Sequence, residues 1–156
     1  MEIERKYLLN KEVWLKSGNP TGKNIIQGYL TTDINKTIRI RVMGTLGYMT
    51  IKGKTNHISR EEFEFPIPTD MAKKLIKKYS EGIVEKIRYC IPYRGKIWEV
   101  DKFLGDNEGL LLAEIELNFE DEVFELPEWI EKEVSDDIRY FNSNLSKNPY
   151  KNWKDK

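Results

Sequence analysis

The sequence predicts a mostly β chain with flanking helices, an α+β fold built on an eight-stranded antiparallel closed barrel with a charged interior. Three observations predict it. Short runs with period-two alternation recur along the chain, turn-forming residues close them, and one face of nearly every run carries charged residues at i and i+2. At 156 residues the chain has the size of one domain over 1–156, with the barrel over about 1–118 and a helical tail over about 127–150.

The runs fall at about 1–9, 25–32, 36–43, 47–54, 59–66, 83–91, 96–103 and 110–118. Met43-Gly44-Thr45-Leu46-Gly47, Lys52-Gly53-Lys54-Thr55-Asn56, Tyr93-Arg94-Gly95 and Gly105-Asp106-Asn107-Glu108-Gly109 are short enough for hairpins. Helical spacing is clearest from Thr69 to Ser80, where Thr69 suits the cap and Met71, Leu75, Ile76 and Tyr79 form a stripe. Shorter helices are expected over Lys11–Ser17, from Pro127 through Trp129, Ile130 and Val134, and around Ile138, Tyr140, Phe141 and Leu145. Their apolar sides need the apolar face of the sheet to lie on.

In a strand, residues i and i+2 point the same way, so each run divides into two faces. Glu2, Glu4 and Lys6 share one face, and Arg39 and Arg41 oppose Ile38, Ile40 and Val42. Thr50, Lys52 and Lys54 oppose Met49 and Ile51, while Arg60, Glu62 and Glu64 oppose Phe63 and Phe65. Lys86 and Arg88 oppose Ile87, Tyr89 and Ile91; Glu99 and Asp101 oppose Trp98 and Val100; Glu114 and Glu116 oppose Ala113, Ile115 and Leu117. A solvated face normally mixes signs, because like charges side by side repel. Here most pairs are of one sign, which favours an enclosed face over a wet one.

An eight-stranded barrel encloses room for one small ligand. Buried unpaired ions are costly, so Lys6, Arg39, Arg41, Lys52, Arg60, Lys86 and Arg88 call for a polyanion, and the carboxylate pairs call for divalent cations or bound water. A polyphosphate with Mg²⁺ supplies both.

Composition removes several other classes. Lys plus Arg and Asp plus Glu both number 26, which leaves no net field to draw the molecule onto nucleic acid or an anionic membrane. Cys90 is the single cysteine and His57 the single histidine, so neither a disulfide nor a thiolate or imidazole metal cluster forms within one chain. Any metal is then carboxylate-bound and hard, Mg²⁺ or Mn²⁺. With no apolar run long enough for a membrane span, the expected location is cytoplasmic.

Glu2-Ile3-Glu4-Arg5-Lys6 is an E-x-E-x-K motif, and Arg39-x-Arg41, Lys52, Glu62-x-Glu64, Lys86-x-Arg88, Glu99-x-Asp101 and Glu114-x-Glu116 follow it. This order resembles the CYTH domain, or triphosphate tunnel metalloenzymes, over about 1–118, and the tail from Asp136 to Leu145 resembles its bacterial inorganic triphosphatase branch. The resemblance implies an antiparallel tunnel that hydrolyses or cyclises triphosphates with Mg²⁺ or Mn²⁺. It implies metal ligands at Glu2, Glu4, Glu62, Glu64, Glu114 and Glu116, with Glu99 and Asp101 as further metal or water-positioning groups. It implies phosphate contacts from Lys6, Arg39, Arg41, Lys52, Arg60, Lys86, Arg88 and Arg139, and catalytic roles for Glu4, Lys6, Glu114 and Glu116.

The expected reaction is hydrolysis of a triphosphate, inorganic tripolyphosphate ahead of a nucleoside triphosphate, by a monomer or homodimer. The alternatives are a class IV-type adenylate cyclase, a thiamine-triphosphatase, and a non-catalytic polyphosphate- or nucleotide-binding module. A pure anion binder gains nothing from paired carboxylates, and the compact chain shows no added loop for reading a base.

Overall fold

The computed structural model describes residues 1–18 and 20–154. Among them, ten strands form one antiparallel sheet: β1 (Glu2–Leu9), β2 (Lys23–Asp33), β3 (Lys36–Met43), β4 (Leu46–Gly53), β5 (Ser59–Arg60), β6 (Glu62–Ile67), β7 (Ile83–Tyr93), β8 (Lys96–Phe103), β9 (Leu111–Glu116) and β10 (Ile130–Glu133). Three α-helices accompany them, α1 (Lys11–Lys16), α2 (Thr69–Tyr79) and α3 (Asn142–Leu145), with 3-10 turns at Gly105–Asn107, Ile138–Tyr140 and Tyr150–Asn152.

The sheet runs β10-β1-β9-β8-β7-β2-β3-β4-β6, and β5 also pairs with β1. Both the eight-strand count and the closed barrel are therefore corrected. The expected fifth run is two short strands: β5 pairs Arg60 with Glu2 on β1, whereas β6 pairs Glu62 with Lys52 and Glu64 with Thr50 on β4. Between them the Glu61 carbonyl accepts from Gly53 N–H at 3.0 Å, so the chain itself steps from one side of the sheet to the other and no ladder closes the gap.

The second correction is β10, which occupies the stretch expected to form a helix from Pro127. Ile130 N–H bonds the Pro127 carbonyl in a turn, and Ile130–Glu133 then takes the edge of β1 that β5 leaves unpaired, matching Glu133 with Tyr7. An open β edge outweighs a short helical pattern, because unpaired backbone groups are costly. At α2 the structure places Pro68 at the cap, while the Thr69 hydroxyl donates to the Thr45 carbonyl. The tail forms only the short α3 and 3-10 turns rather than one helix.

Hairpins follow the turn chemistry. Arg94 and Gly95 both take positive φ, 49° and 80°, which suits the tight connection of twisted strands β7 and β8.

Apolar side chains on the outer face pack under α1 and the segment before β10, where Trp98 is fully buried with ring centroids 5.5 Å from Tyr7, 5.8 Å from Phe124 and 5.9 Å from Trp129. Ile40, Ala72 and Ile76 form a second core between the sheet and α2. The third core is on the inner face. Val84, Phe103 and Leu112, with Leu8 against them, lie two residues beyond Lys86, Asp101, Glu114 and Lys6 on the same strand faces, and they meet Tyr140, Leu145 and Trp153 of the C-terminal segment. Hydrocarbon thereby lies beyond the charged rows at one end of the space they line.

Gly82 lets the C-terminal segment seat, since a Cβ there would lie 2.2 Å from the Ser146 carbonyl oxygen. Gly82→Ala should cost roughly 1–3 kcal/mol. The expected signs are a lower melting temperature and faster proteolysis within 138–152.

Candidate active site

The inner faces meet around a cavity of about 250 Å³ lined by Glu2, Glu4, Lys6, Arg39, Arg41, Lys52, Arg60, Glu62, Glu64, Lys86, Arg88, Glu99, Glu114 and Glu116, with Tyr29, Thr37, Asn142 and Ser143. Register brings them together. On β1 and β9, Glu4 stands opposite Glu116 and Lys6 opposite Glu114; Glu114 in turn faces Glu99 on β8; and Arg39 on β3 faces Thr50 on β4 and Tyr29 on β2.

Two candidates lie elsewhere. Asp101 has no exposed surface and sits beneath the cavity, where its oxygens accept from Arg88 Nε and Nη2, each at 2.8 Å, and pair with Lys86 Nζ at 2.8 Å. It fixes two cations instead of facing a ligand. Arg139 is at the surface, paired with Asp137 at 2.7 Å and stacked over Tyr140 and Trp153, because the 3-10 turn directs it away from the barrel.

The cavity has two chemically different ends. Toward the apolar plug lie Lys86 and Gln27, both fully buried, with Arg41 beside them. Toward the mouth lie Glu64 and Glu99, whose side chains are 41% and 38% exposed.

Ion pairs occupy the middle. Lys6 Nζ is 3.0 Å from Glu114 and 3.4 Å from Glu4, Lys52 Nζ is 3.0 Å from Glu2, Arg60 Nε is 3.3 Å from Glu2, and Arg39 Nη2 is 3.2 Å from Glu64. Thr50 donates to Glu64 at 2.7 Å and accepts from Arg39 at 3.0 Å.

Compensation is uneven, and the imbalance marks where ligands fit. Burial pulls Arg41 down to about 9, with Arg39 and Arg88 adding repulsion. Burial likewise pulls Lys86 down to about 7 against the attraction of Asp101, and Arg88 and Arg41 push the same way. Arg39 Nε is buried and meets no acceptor among the described residues. Arg41 has no carboxylate partner among the described residues, while Lys86 and Arg39 each have one that a second donor also uses.

The carboxylates show the mirror image. Burial raises Glu4 to about 7, with Glu114 and Glu2 contributing and Lys6 opposing. Glu116 and Glu62 are also raised, first by burial and then by Glu2. Glu114 is held low instead, because Lys6 and Arg88 outweigh its burial.

No three acidic side chains of the described residues converge at metal-ligand distance. Lys52, Arg60, Lys6 and Arg39 hold several of them apart. The donor chemistry nevertheless fits a hard cation, being all carboxylate, and a cation would relieve the repulsion of Glu4 by Glu114 and Glu2 and of Glu116 by Glu2 and Glu99.

Sequence reasoning missed Gln27, Tyr29, Thr37, Asn142 and Ser143. Thr37 shares a strand face with Arg39 and Arg41, so period two contained its signal, whereas Gln27 and Tyr29 lie on β2, whose run carries no charged pair. Asn142 and Ser143 arrive from α3, and nothing in local patterning points to them.

A family model described as the CYTH domain matches residues 1–147. The chain belongs to the CYTH domain family. A protein of Acetivibrio thermocellus named inorganic triphosphatase is 45% identical to this CYTH domain over 157 residues, covering 99% of this chain and 98% of its own length. A second of that name, from Nitrosomonas europaea, is 35% identical over 150 residues, covering 93% and 96%. A solved structure of an inorganic triphosphatase superposes with a TM-score of 0.64 at 33% identity, covering 93% of this chain and 97% of that one.

Burial raises Asp101, but Arg88 and Lys86 outweigh it and hold the group below the ordinary aspartate value of 3.8. A depressed folded pKa stabilises fully above the unfolded value, and that contribution is lost as pH falls through the folded one. Urea unfolding of Asp101→Asn should therefore show a deficit of roughly 3–5 kcal/mol at neutral pH. The deficit should narrow below pH 3.8.

Proposed function

We propose that this CYTH domain is a metal-dependent triphosphatase that hydrolyses inorganic tripolyphosphate to pyrophosphate and phosphate. One observation carries the reading: the under-compensated cations Arg39, Arg41 and Lys86 line a single cavity with the carboxylates Glu4 and Glu116. A polyanion alone would satisfy the first group and leave the second crowded. A metal–polyphosphate complex satisfies both, and the names of the relatives agree with it.

Arg41 and Lys86 bind phosphate oxygens at the inner end, and Arg39, Arg88, Lys6, Lys52 and Arg60 complete the grip nearer the mouth. Glu2, Glu4, Glu62, Glu64, Glu114 and Glu116 would hold Mg²⁺ or Mn²⁺. When bound, such a cation neutralises phosphate charge and acidifies a water molecule. Glu116 suits the orientation of that water better than Glu114, which Lys6 and Arg88 already hold. The oxygen of that water would attack the terminal phosphorus as its proton passes to Glu116, the bond to the bridging oxygen would break, and pyrophosphate would leave with the electron pair. Cations around the phosphate chain offset the charge that builds on it.

No helix of the described residues is long and apolar enough to cross a membrane, and a carboxylate-bound metal with one exposed thiol suits the cytoplasm.

The deciding experiment measures phosphate release from tripolyphosphate, ATP, thiamine triphosphate and long-chain polyphosphate with Mg²⁺, Mn²⁺ or chelator. Tripolyphosphate should be preferred, with turnover abolished by chelation. Release from none of them under any metal would end the enzyme reading, and a cyclic nucleotide product would favour a cyclase. Glu4→Gln should lower kcat at least about a hundredfold. Arg41→Ala should chiefly raise KM for tripolyphosphate if Arg41 grips a remote phosphate. Steady-state kinetics on both variants, beside a check of unchanged melting temperature, read these effects.

A further inference from the structure

Asn142 belongs to α3, outside every strand, and still lines the cavity. Its Oδ1 accepts two hydrogen bonds, one from Lys86 Nζ at 2.9 Å and one from Gln27 Nε2 at 3.0 Å. Gln27 passes the contact on, because its Oε1 accepts from Arg41 Nε at 3.0 Å. A single polar thread therefore runs Arg41–Gln27–Asn142–Lys86, with a cation at each end.

Both links in the thread are neutral amides, which sets it apart from the rest of the cavity. Lys6, Lys52, Arg60, Arg39 and Arg88 are each directed by a carboxylate, and each loses part of its charge to that partner. Arg41 is directed by Gln27 and forms no ion pair among the described residues. Lys86 touches Asp101, but that carboxylate is already bound by two nitrogens of Arg88. An amide oxygen aims an N–H donor without cancelling its charge, whereas a carboxylate does both.

The thread is also well placed to be rigid. Gln27 and Lys86 are fully buried, and Leu145, three residues beyond Asn142 on α3, is buried in the apolar plug. Side chains locked by packing hold a binding geometry more tightly than solvated ones.

We propose that Asn142 is a positioning residue for the phosphate grip, aiming Lys86 directly and Arg41 through Gln27 while leaving their charge available to the ligand. The proposal rests on the triphosphate reading of the cavity but concerns anion binding rather than hydrolysis. It makes the C-terminal segment part of the binding machinery, although none of that segment's residues reaches the cavity from a strand.

Two variants separate this role from simple support of the fold. Asn142→Asp keeps an acceptor of the same shape for Lys86 and Gln27 and adds the charge that the thread avoids. Asn142→Leu keeps the approximate size and removes the acceptor. Tripolyphosphate is titrated into the full-length protein in metal-free buffer by calorimetry, melting temperature is measured on the same preparations, and phosphate release is measured on them after Mg²⁺ or Mn²⁺ is added.

Asn142→Asp should melt no lower than the wild type and yet bind tripolyphosphate at least about tenfold more weakly. Asn142→Leu should also weaken binding, by about five- to tenfold, and Lys147→Ala in the same segment should stay within about twofold of the wild type. Wild-type affinity in Asn142→Asp overturns the proposal even if the leucine variant fails to fold, and so does a loss of affinity that merely tracks a fall in melting temperature. Tripolyphosphate binding without phosphate release would sink the triphosphatase reading and leave the positioning role standing. An absence of binding by the wild type overturns both.

Discussion

Opposite charges facing each other across a space too small for bulk water are the constraint on which this structure turns. Each buried ion has forfeited hydration worth several kcal/mol, and attraction across the cavity returns only part of it. The inner faces of β1, β3, β4, β6, β7, β8 and β9 are therefore obliged to present complementary partners at matching heights. Lys6 with Glu114, Lys52 with Glu2 and Arg88 with Asp101 show how tightly that obligation is met. Arg39, Arg41, Lys86, Glu4 and Glu116 show where it is left unmet. On the reading proposed above, a ligand supplies the compensation that the protein does not.

The remainder of the fold makes that arrangement tolerable. Hydrophobic stabilisation is displaced to the outer face, where Trp98 and its aromatic neighbours, and Ile40 with Ala72 and Ile76, give the sheet ordinary cores. A third core seals the inner end with Phe103, Leu112, Leu145 and Trp153. The resulting cavity is graded, with cations deep beside hydrocarbon and exposed carboxylates at the mouth. Low dielectric at the deep end strengthens every contact a phosphate makes there. On the proposed reading, hydration at the mouth would let a divalent cation exchange water for carboxylate gradually.

A mixture of carboxylate-directed and amide-directed cations follows from the same economy of charge. Ion pairs hold the strands in register, as with Arg60 and Lys52 on Glu2, which ties β5 and β4 to β1. Cations committed in this way have less to offer a ligand. Gln27 and Asn142 give Arg41 and Lys86 neutral acceptors instead, so on the reading proposed above these two cations keep more of their charge for a ligand.

The amino-acid sequence by itself determined which side chains share a strand face, because a strand turns each residue over with respect to its neighbours and the alternation of Glu2, Glu4 and Lys6, or Lys86 and Arg88, survives whatever the sheet does next. It determined the chemistry of the cavity for the same reason, down to the absence of imidazole or thiolate clusters. Tertiary structure alone decided that Asp101 lies under Arg88 rather than beside a ligand, since face parity carries no depth. It decided that Ile130–Glu133 forms a strand, since the vacant edge of β1 is not written in that stretch. It also sent Arg139 to the surface and brought Asn142 to Lys86, because the path of a tail is set by which apolar surface remains open once the sheet has formed.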